Sequence, residues 1–173
     1  SKSGSSEKLS STEWADSVYR AHKNFAENIL DKDGFPGFDK LGKSSTLYFA
    51  LVQHSDSDVN FQKRALDSMY QEVQVNNANP RDYAYLQDRV QMNTGKKLLY
   101  GTQVDYHWFS GKARHLPTID VKNLNKRRAE IGLKPIEVYL EEMTEINNEY
   151  SQPIVEGITN LALILIIALM VTA

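Results

Sequence analysis

Four short polar groupings carry side chains able to do chemistry: Gln53-His54-Ser55-Asp56 with Gln62, Asp88-Arg89, Tyr100-Gly101-Thr102-Gln103, and Arg127-Arg128. An imidazole and a carboxylate two residues apart, as in His54 and Asp56, suit an acid–base pair or part of a metal site. Two ligands do not make a metal site, and no third His or acid stands at diagnostic spacing. No metal and no cofactor is therefore expected. The alternative is that His54 and Asp56 satisfy backbone groups at a tight turn between helices. Asp88 and Arg89 are neighbours on a helix, so they diverge by about 100°. Each must reach a different partner, and Arg89 can grip a carboxylate with two parallel hydrogen bonds. Gly101 lets the chain turn or approach closely, between hydroxyl and amide groups. That suits a ligand-lining loop or a buried corner equally. If these segments converge, His54, Asp56, Asp88, Arg89, Tyr100 and Gln103 form one polar cleft of a hydrolase- or transferase-like enzyme, or of a small-ligand binder.

Composition narrows the chemistry. The 173 residues contain no cysteine, which excludes disulfides, thiol catalysis, iron–sulfur clusters and thiolate zinc. The net charge of −2 argues against a nucleic-acid partner, since such proteins carry a basic face. Lys126, Arg127 and Arg128 make a short basic run that reads as a solvated helix face, with a phosphate or anionic-lipid contact as the alternative. Tyr106, Trp108 and Phe109 have the ring faces to stack on bases or sugars, but the acidic balance favours packing inside a hairpin. There is no phosphate-binding glycine loop, dinucleotide fingerprint or nucleophile elbow.

The elements that must position these residues follow from hydrophobic spacing. Residues 1–10 are polar, rich in Ser, and read as a flexible lead-in. Ser10 with Glu13 is a capping-box pattern, and helical spacing predicts a helix over 11–32 that Gly34 ends. Ser44 is placed to cap a helix over 45–54, and Asp58 one over 59–76. Asn79-Pro80 starts a helix to about Asn93, closed by Gly95. The region 97–118, with a turn at Ser110-Gly111, is the one strand or hairpin candidate. Asp120 is placed to cap a helix over 121–131, and Pro135 opens another to about 150. The fold class is mainly α: a compact multi-helix domain over 11–150 with one small β-hairpin.

Pro153 separates that domain from a tail over 151–173, whose last 16 residues carry no charge. A helix of that length spans about 24 Å, against the ~30 Å of a bilayer core, and extension back to Ile154 supplies the shortfall. A helix apolar on all sides needs a membrane or a large protein around it. The tail thus reads as a single C-terminal transmembrane helix, a tail anchor. Ile158, Leu161, Leu163, Ile164, Leu165, Ile166, Ile167, Leu169 and Met170 would pack on lipid or partner helices. The chain would then be a single-pass membrane protein with its N-terminal domain cytoplasmic.

Several of these stretches together resemble an uncharacterised bacterial domain-of-unknown-function family. They are Gly34-Phe35-Pro36-Gly37, Gln53 to Asp58 with Phe61-Gln62, Tyr85-Leu86-Gln87-Asp88-Arg89, Tyr100 to Gln103, and Arg127-Arg128 through Gly132-Leu133-Lys134-Pro135-Ile136 to Tyr139. Order and spacing agree over about 12–143. The resemblance implies a common, mainly helical fold and no reaction, and the apolar tail is not part of the pattern. Two functions are expected from different classes. One is a membrane-anchored accessory or interaction subunit of an integral membrane protein complex, not an enzyme. The other is the enzyme or small-ligand binder with the cleft named above.

Overall fold

The computed structural model describes residues 11–151. In chain order these form α1 (Ser11–Asp33), α2 (Phe38–Leu41), α3 (Ser45–Gln53), α4 (Val59–Gln74) and α5 (Pro80–Asn93). A hairpin of β1 (Val104–Tyr106) and β2 (Ala113–His115) follows, then α6 (Leu124–Glu130) and α7 (Ile136–Ser151).

Burial spacing explains why these helices pack. On α4 the buried residues are Phe61, Gln62, Ala65, Leu66 and Met69, one stripe at three- and four-residue intervals. That stripe meets Tyr48, Phe49 and Val52 of α3, Tyr85, Leu86 and Val90 of α5, and Ala26 and Leu30 of α1 in one continuous core. Each large apolar side chain withdrawn from water contributes about 1.5–3 kcal/mol. Leu124, Ile136 and Tyr139 extend the same core to α6 and α7. Phe35 caps one side, edge-on to Tyr48 with centroids 5.2 Å apart.

Chain breaks obey the expected chemistry in most places. Gly34 takes a positive φ and its N–H bonds the Leu30 carbonyl, ending α1. Asp58 caps α4 by accepting from the Phe61 N–H at 3.0 Å. Asn79 caps α5 by accepting from the Arg81 N–H at 2.9 Å, with Pro80 in the first turn. Two expected caps do not form. Ser44 has helical dihedrals and caps nothing, because a 3-10 turn over Gly42–Ser44 leads straight into α3. Asp120 sits in the left-handed region and accepts instead from the Asn123 side chain at 2.7 Å. The short α2 has no signature in the sequence, since four residues between glycines show no period. Its start needs Gly37: a Cβ there would lie 2.4 Å from the Asn77 carbonyl oxygen, which accepts from Phe38 N–H at 2.7 Å.

The hairpin pairs Val104 with His115, Asp105 with Arg114 and Tyr106 with Ala113. It is shorter than the 97–118 stretch suggested. The preceding residues instead form a loop tied by a single bridge between Leu98 and Thr118.

The membrane reading is corrected here. Among the described residues no helix is long and apolar enough to cross a membrane. The helix leading into the tail, α7, carries Glu137, Glu141, Glu142, Glu145 and Glu149, and ionised carboxylates cannot lie in hydrocarbon at that density. The expected span over 151–173, with Ile158, Leu161, Leu163, Ile164, Leu165, Ile166, Ile167, Leu169 and Met170, lies outside the described residues apart from Ser151, which ends α7. No helix among the described residues supports the expected transmembrane helix, single-pass tail anchor or membrane localisation. The mainly helical domain with its two-stranded antiparallel sheet stands.

Candidate functional site

Asp56, Arg89 and Gln103 meet, as the convergence of polar segments predicted. Asp56 lies in the loop between α3 and α4, Arg89 on α5, and Gln103 in the loop before β1. Arg89 donates from Nε to Asp56 Oδ1 at 2.8 Å and from Nη2 to Asp56 Oδ2. This is the two-point grip that adjacency to Asp88 made plausible. Its Nη1 donates to Gln103 Oε1 at 3.1 Å. Asn93, one turn further along α5, donates to Asp56 Oδ1 at 2.7 Å and to Gln62 Oε1 at 2.9 Å. Gln62 is fully buried and donates to the carbonyls of Val52 and Gln53, satisfying the frayed end of α3. Burial pushes the Asp56 carboxyl up, but bonds from Arg89 and Asn93 outweigh it and hold the group below its usual range.

Asp88 points the other way, into a second network. It is wholly buried and accepts from Leu99 N–H at 2.7 Å, Tyr100 N–H at 3.1 Å, Thr102 N–H at 2.8 Å and the Thr102 hydroxyl at 3.0 Å. Burial pushes its pKa up, while those bonds pull it back. The 100–103 loop is thus a buried corner. Gly101 has φ +66°, and a Cβ there would lie 3.3 Å from Ile136 Cδ1. Tyr139 closes the corner by donating to the Thr102 carbonyl at 2.8 Å.

Arg128 grips the same corner from α6. Its Nε donates to the Lys134 carbonyl at 2.7 Å and its Nη1 to the Tyr100 carbonyl at 2.6 Å. Its guanidinium lies 5.0 Å from the centre of the Tyr139 ring. The solvated-face reading of the basic run fails for Arg128, which is only 1% exposed. Arg127 likewise turns inward, its Nε donating to the Leu99 carbonyl at 3.0 Å. Arg127 and Arg128 cannot join a solvated cationic face, because the loop carbonyls beneath them take up their donors.

Not every predicted site residue joins. The His54 ring is exposed at the end of α3 and makes no hydrogen bond among the described residues. Desolvation by the surrounding protein, then the Arg89 charge, lower its pKa, and Asp56 opposes them. Tyr100 takes part through its peptide groups, not its hydroxyl. Asn93 and Tyr139 were missed as members. Asn93 was legible in part, since it lies four residues after Arg89 on one helix face. Among the described residues no three His, Asp or Glu side chains gather as a metal site would require.

The hairpin tip overturns another expectation. Trp108 and Phe109 do not pack in a core; they are 89% and 81% exposed, edge-to-face with centroids 5.6 Å apart. The turn from His107 to Lys112 is closed by backbone bonds at 2.8 and 2.9 Å, so both rings sit at its apex. Two bonds pin the hairpin to α7: Ala113 N–H to Thr144 Oγ1 at 2.9 Å and Asn147 Nδ2 to the Gly111 carbonyl at 3.1 Å. Between the apex and α7 lies an open cleft of about 380 Å³, lined by Trp108, Phe109, Ser110, Asn147 and Asn148 among others.

The fold and site define a small helical domain stapled by two internal polar networks, with one aromatic-tipped hairpin. The chain belongs to the family described as a family of unknown function (DUF6624), which it matches over residues 34–150. No curated protein and no solved structure matches the chain.

Proposed function

We infer that this domain is a non-catalytic interaction module that holds a partner protein at the hairpin tip. The observation that carries this reading is the exposure of Trp108 and Phe109 together on a turn fastened to α7. Large aromatic rings left in water are costly, and tryptophan is enriched among the residues that dominate binding energy. The short hairpin limits the freedom the rings would lose on binding, which favours affinity. The amides of Asn147 and Asn148 beside them supply the polar rim that such contacts need. By contrast, Asp56, Asp88 and Arg89 spend their hydrogen bonds inside the protein, as structural networks do.

The test places a photo-crosslinking residue at Phe109 of the full chain in its native cells and identifies what it captures. The purified partner is then titrated against the parent and Trp108→Ala. The expected result is one dominant crosslinked protein and a loss of affinity of about tenfold or more. Unchanged affinity in Trp108→Ala overturns the reading.

One observation favours the enzymatic alternative. His54 feels the charges of the Asp56–Arg89 pair and is held toward its neutral form, chiefly by desolvation. Activity against ester or phosphoester substrates that disappears in His54→Ala would support it. Activity that persists in that variant would remove it.

A further inference from the structure

Arg128 makes a second, separate feature where α6 approaches α7. Its guanidinium is buried, yet no carboxylate lies within ion-pair distance among the described residues. The acid nearest in role is Asp88, which grips the opposite side of the 99–102 loop through N–H groups while Arg128 grips the Tyr100 carbonyl. Peptide dipoles of the loop therefore stand between the two charges. A buried guanidinium without a contacting anion is costly unless something supplies one.

That guanidinium lines a recess. Two of its nitrogens are engaged with carbonyls, but Nη2 donates to nothing among the described residues. The recess is lined by Arg81, Tyr85, Arg128, Lys134, Tyr139 and Glu142, with apolar side chains of α7 completing the wall. Arg81 forms no ion pair among the described residues, and Lys134 pairs with Glu142 at 2.7 Å. Three cations thus surround one acid. About 80 Å³ is open to the centres of water molecules, where a single water needs roughly 10–15 Å³. That space admits a small oxyanion and excludes a nucleotide.

We propose that this recess is a binding site for an oxyanion group, a phosphate or carboxylate carried by a small ligand or on a side chain, with Arg128 Nη2 and Arg81 as the contacting donors. Planar guanidinium forks match carboxylate and phosphate oxygens, and a site walled by protein weakens their competition with water. Tyr85 and Tyr139 give the non-ionic part of the ligand an aromatic wall.

The test uses the full chain and three probes, inorganic phosphate, acetate and citrate, against chloride at matched ionic strength. Two signals are followed: the melting temperature and the Nε–H resonance of Arg128 in ¹⁵N-labelled protein. The expected result is a saturable rise of about 3 °C or more with at least one probe, together with movement of that resonance. Response to phosphate alone assigns a phosphoryl group, and response to acetate or citrate alone assigns a carboxylate; either supports the site. Arg128 also holds the Lys134 and Tyr100 carbonyls, so Arg81→Gln is the working variant, and binding should weaken about tenfold. Arg64→Gln, in an exposed pair with Glu27 and Asp31, is the control and should bind as the parent does. The proposal fails if no probe exceeds chloride, if the Arg128 resonance stays fixed at saturation, or if Arg81→Gln and Arg64→Gln behave alike.

Discussion

Asp88 shows how a single carboxylate can organise a loop. Both of its oxygens accept from N–H or O–H donors, so whichever oxygen an amide nitrogen replaced would face another donor. Asp88→Asn is expected to cost roughly 2–4 kcal/mol in urea unfolding, although it is nearly isosteric. A cost under about 1 kcal/mol would mean that the loop holds itself. Asp82 has the opposite logic. It is buried in the first turn of α5 with one bond, from Thr46 Oγ1 at 2.9 Å, and burial pushes its pKa up to about 6. With the folded pKa raised, the unfolded chain releases this proton first. Its contribution to stability is therefore present below the ordinary carboxylate range and is lost as pH rises through about 6. Asp82→Asn keeps the acceptor for Thr46 without the charge. It should stabilise the protein at pH 7.5 by up to roughly 3 kcal/mol, with the gain vanishing near pH 4. A variant no more stable at pH 7.5 would show that the charge is solvated or paired.

At the scale of elements, the 100–103 corner and the hairpin do different work. Gly101 combines a positive φ with a neighbour 3.3 Å from where a Cβ would stand. Gly101→Ala is expected to cost more than about 1 kcal/mol and to broaden the corner's amide resonances. The hairpin tip should behave inversely. Trp108→Ala removes a ring that touches little besides Phe109, so thermal unfolding should change by no more than about 0.5 kcal/mol. A large loss there would mean that the rings support the fold, which would undercut a role in recognition. Both outcomes follow from where the side chains end, in the core or in water.

For the whole molecule, stability is uneven. The buried stripe of α4 and its contacts with α3 and α5 hold the centre, whereas the hairpin is joined to the rest chiefly through α7. Amide hydrogen exchange should accordingly be slowest in the 61–69 and 84–90 stretches and fastest over 107–111. Equal protection across both regions would contradict the partition. The same partition separates the two proposed sites: the aromatic tip lies on the least protected element, and the oxyanion recess lies against the core.

The sequence by itself determined the order of the longer helices, the Asp58 and Asn79 caps, the glycine stops and the family, because each depends on a few neighbouring residues. It also determined that Asp88 and Arg89 face different partners, since adjacent helical positions must diverge. What it could not decide was which polar group meets which, because Asp56 and Arg89 are 33 residues apart and meet only when α5 docks beside the end of α3. Arg128 and Trp108 take the reverse of the places their sequence suggests for the same reason. A basic residue goes inside when loop carbonyls need donors, and an aromatic residue stays outside when its turn carries it past the last packed helix. Burial is a property of the assembled structure, and only the tertiary fold sets it.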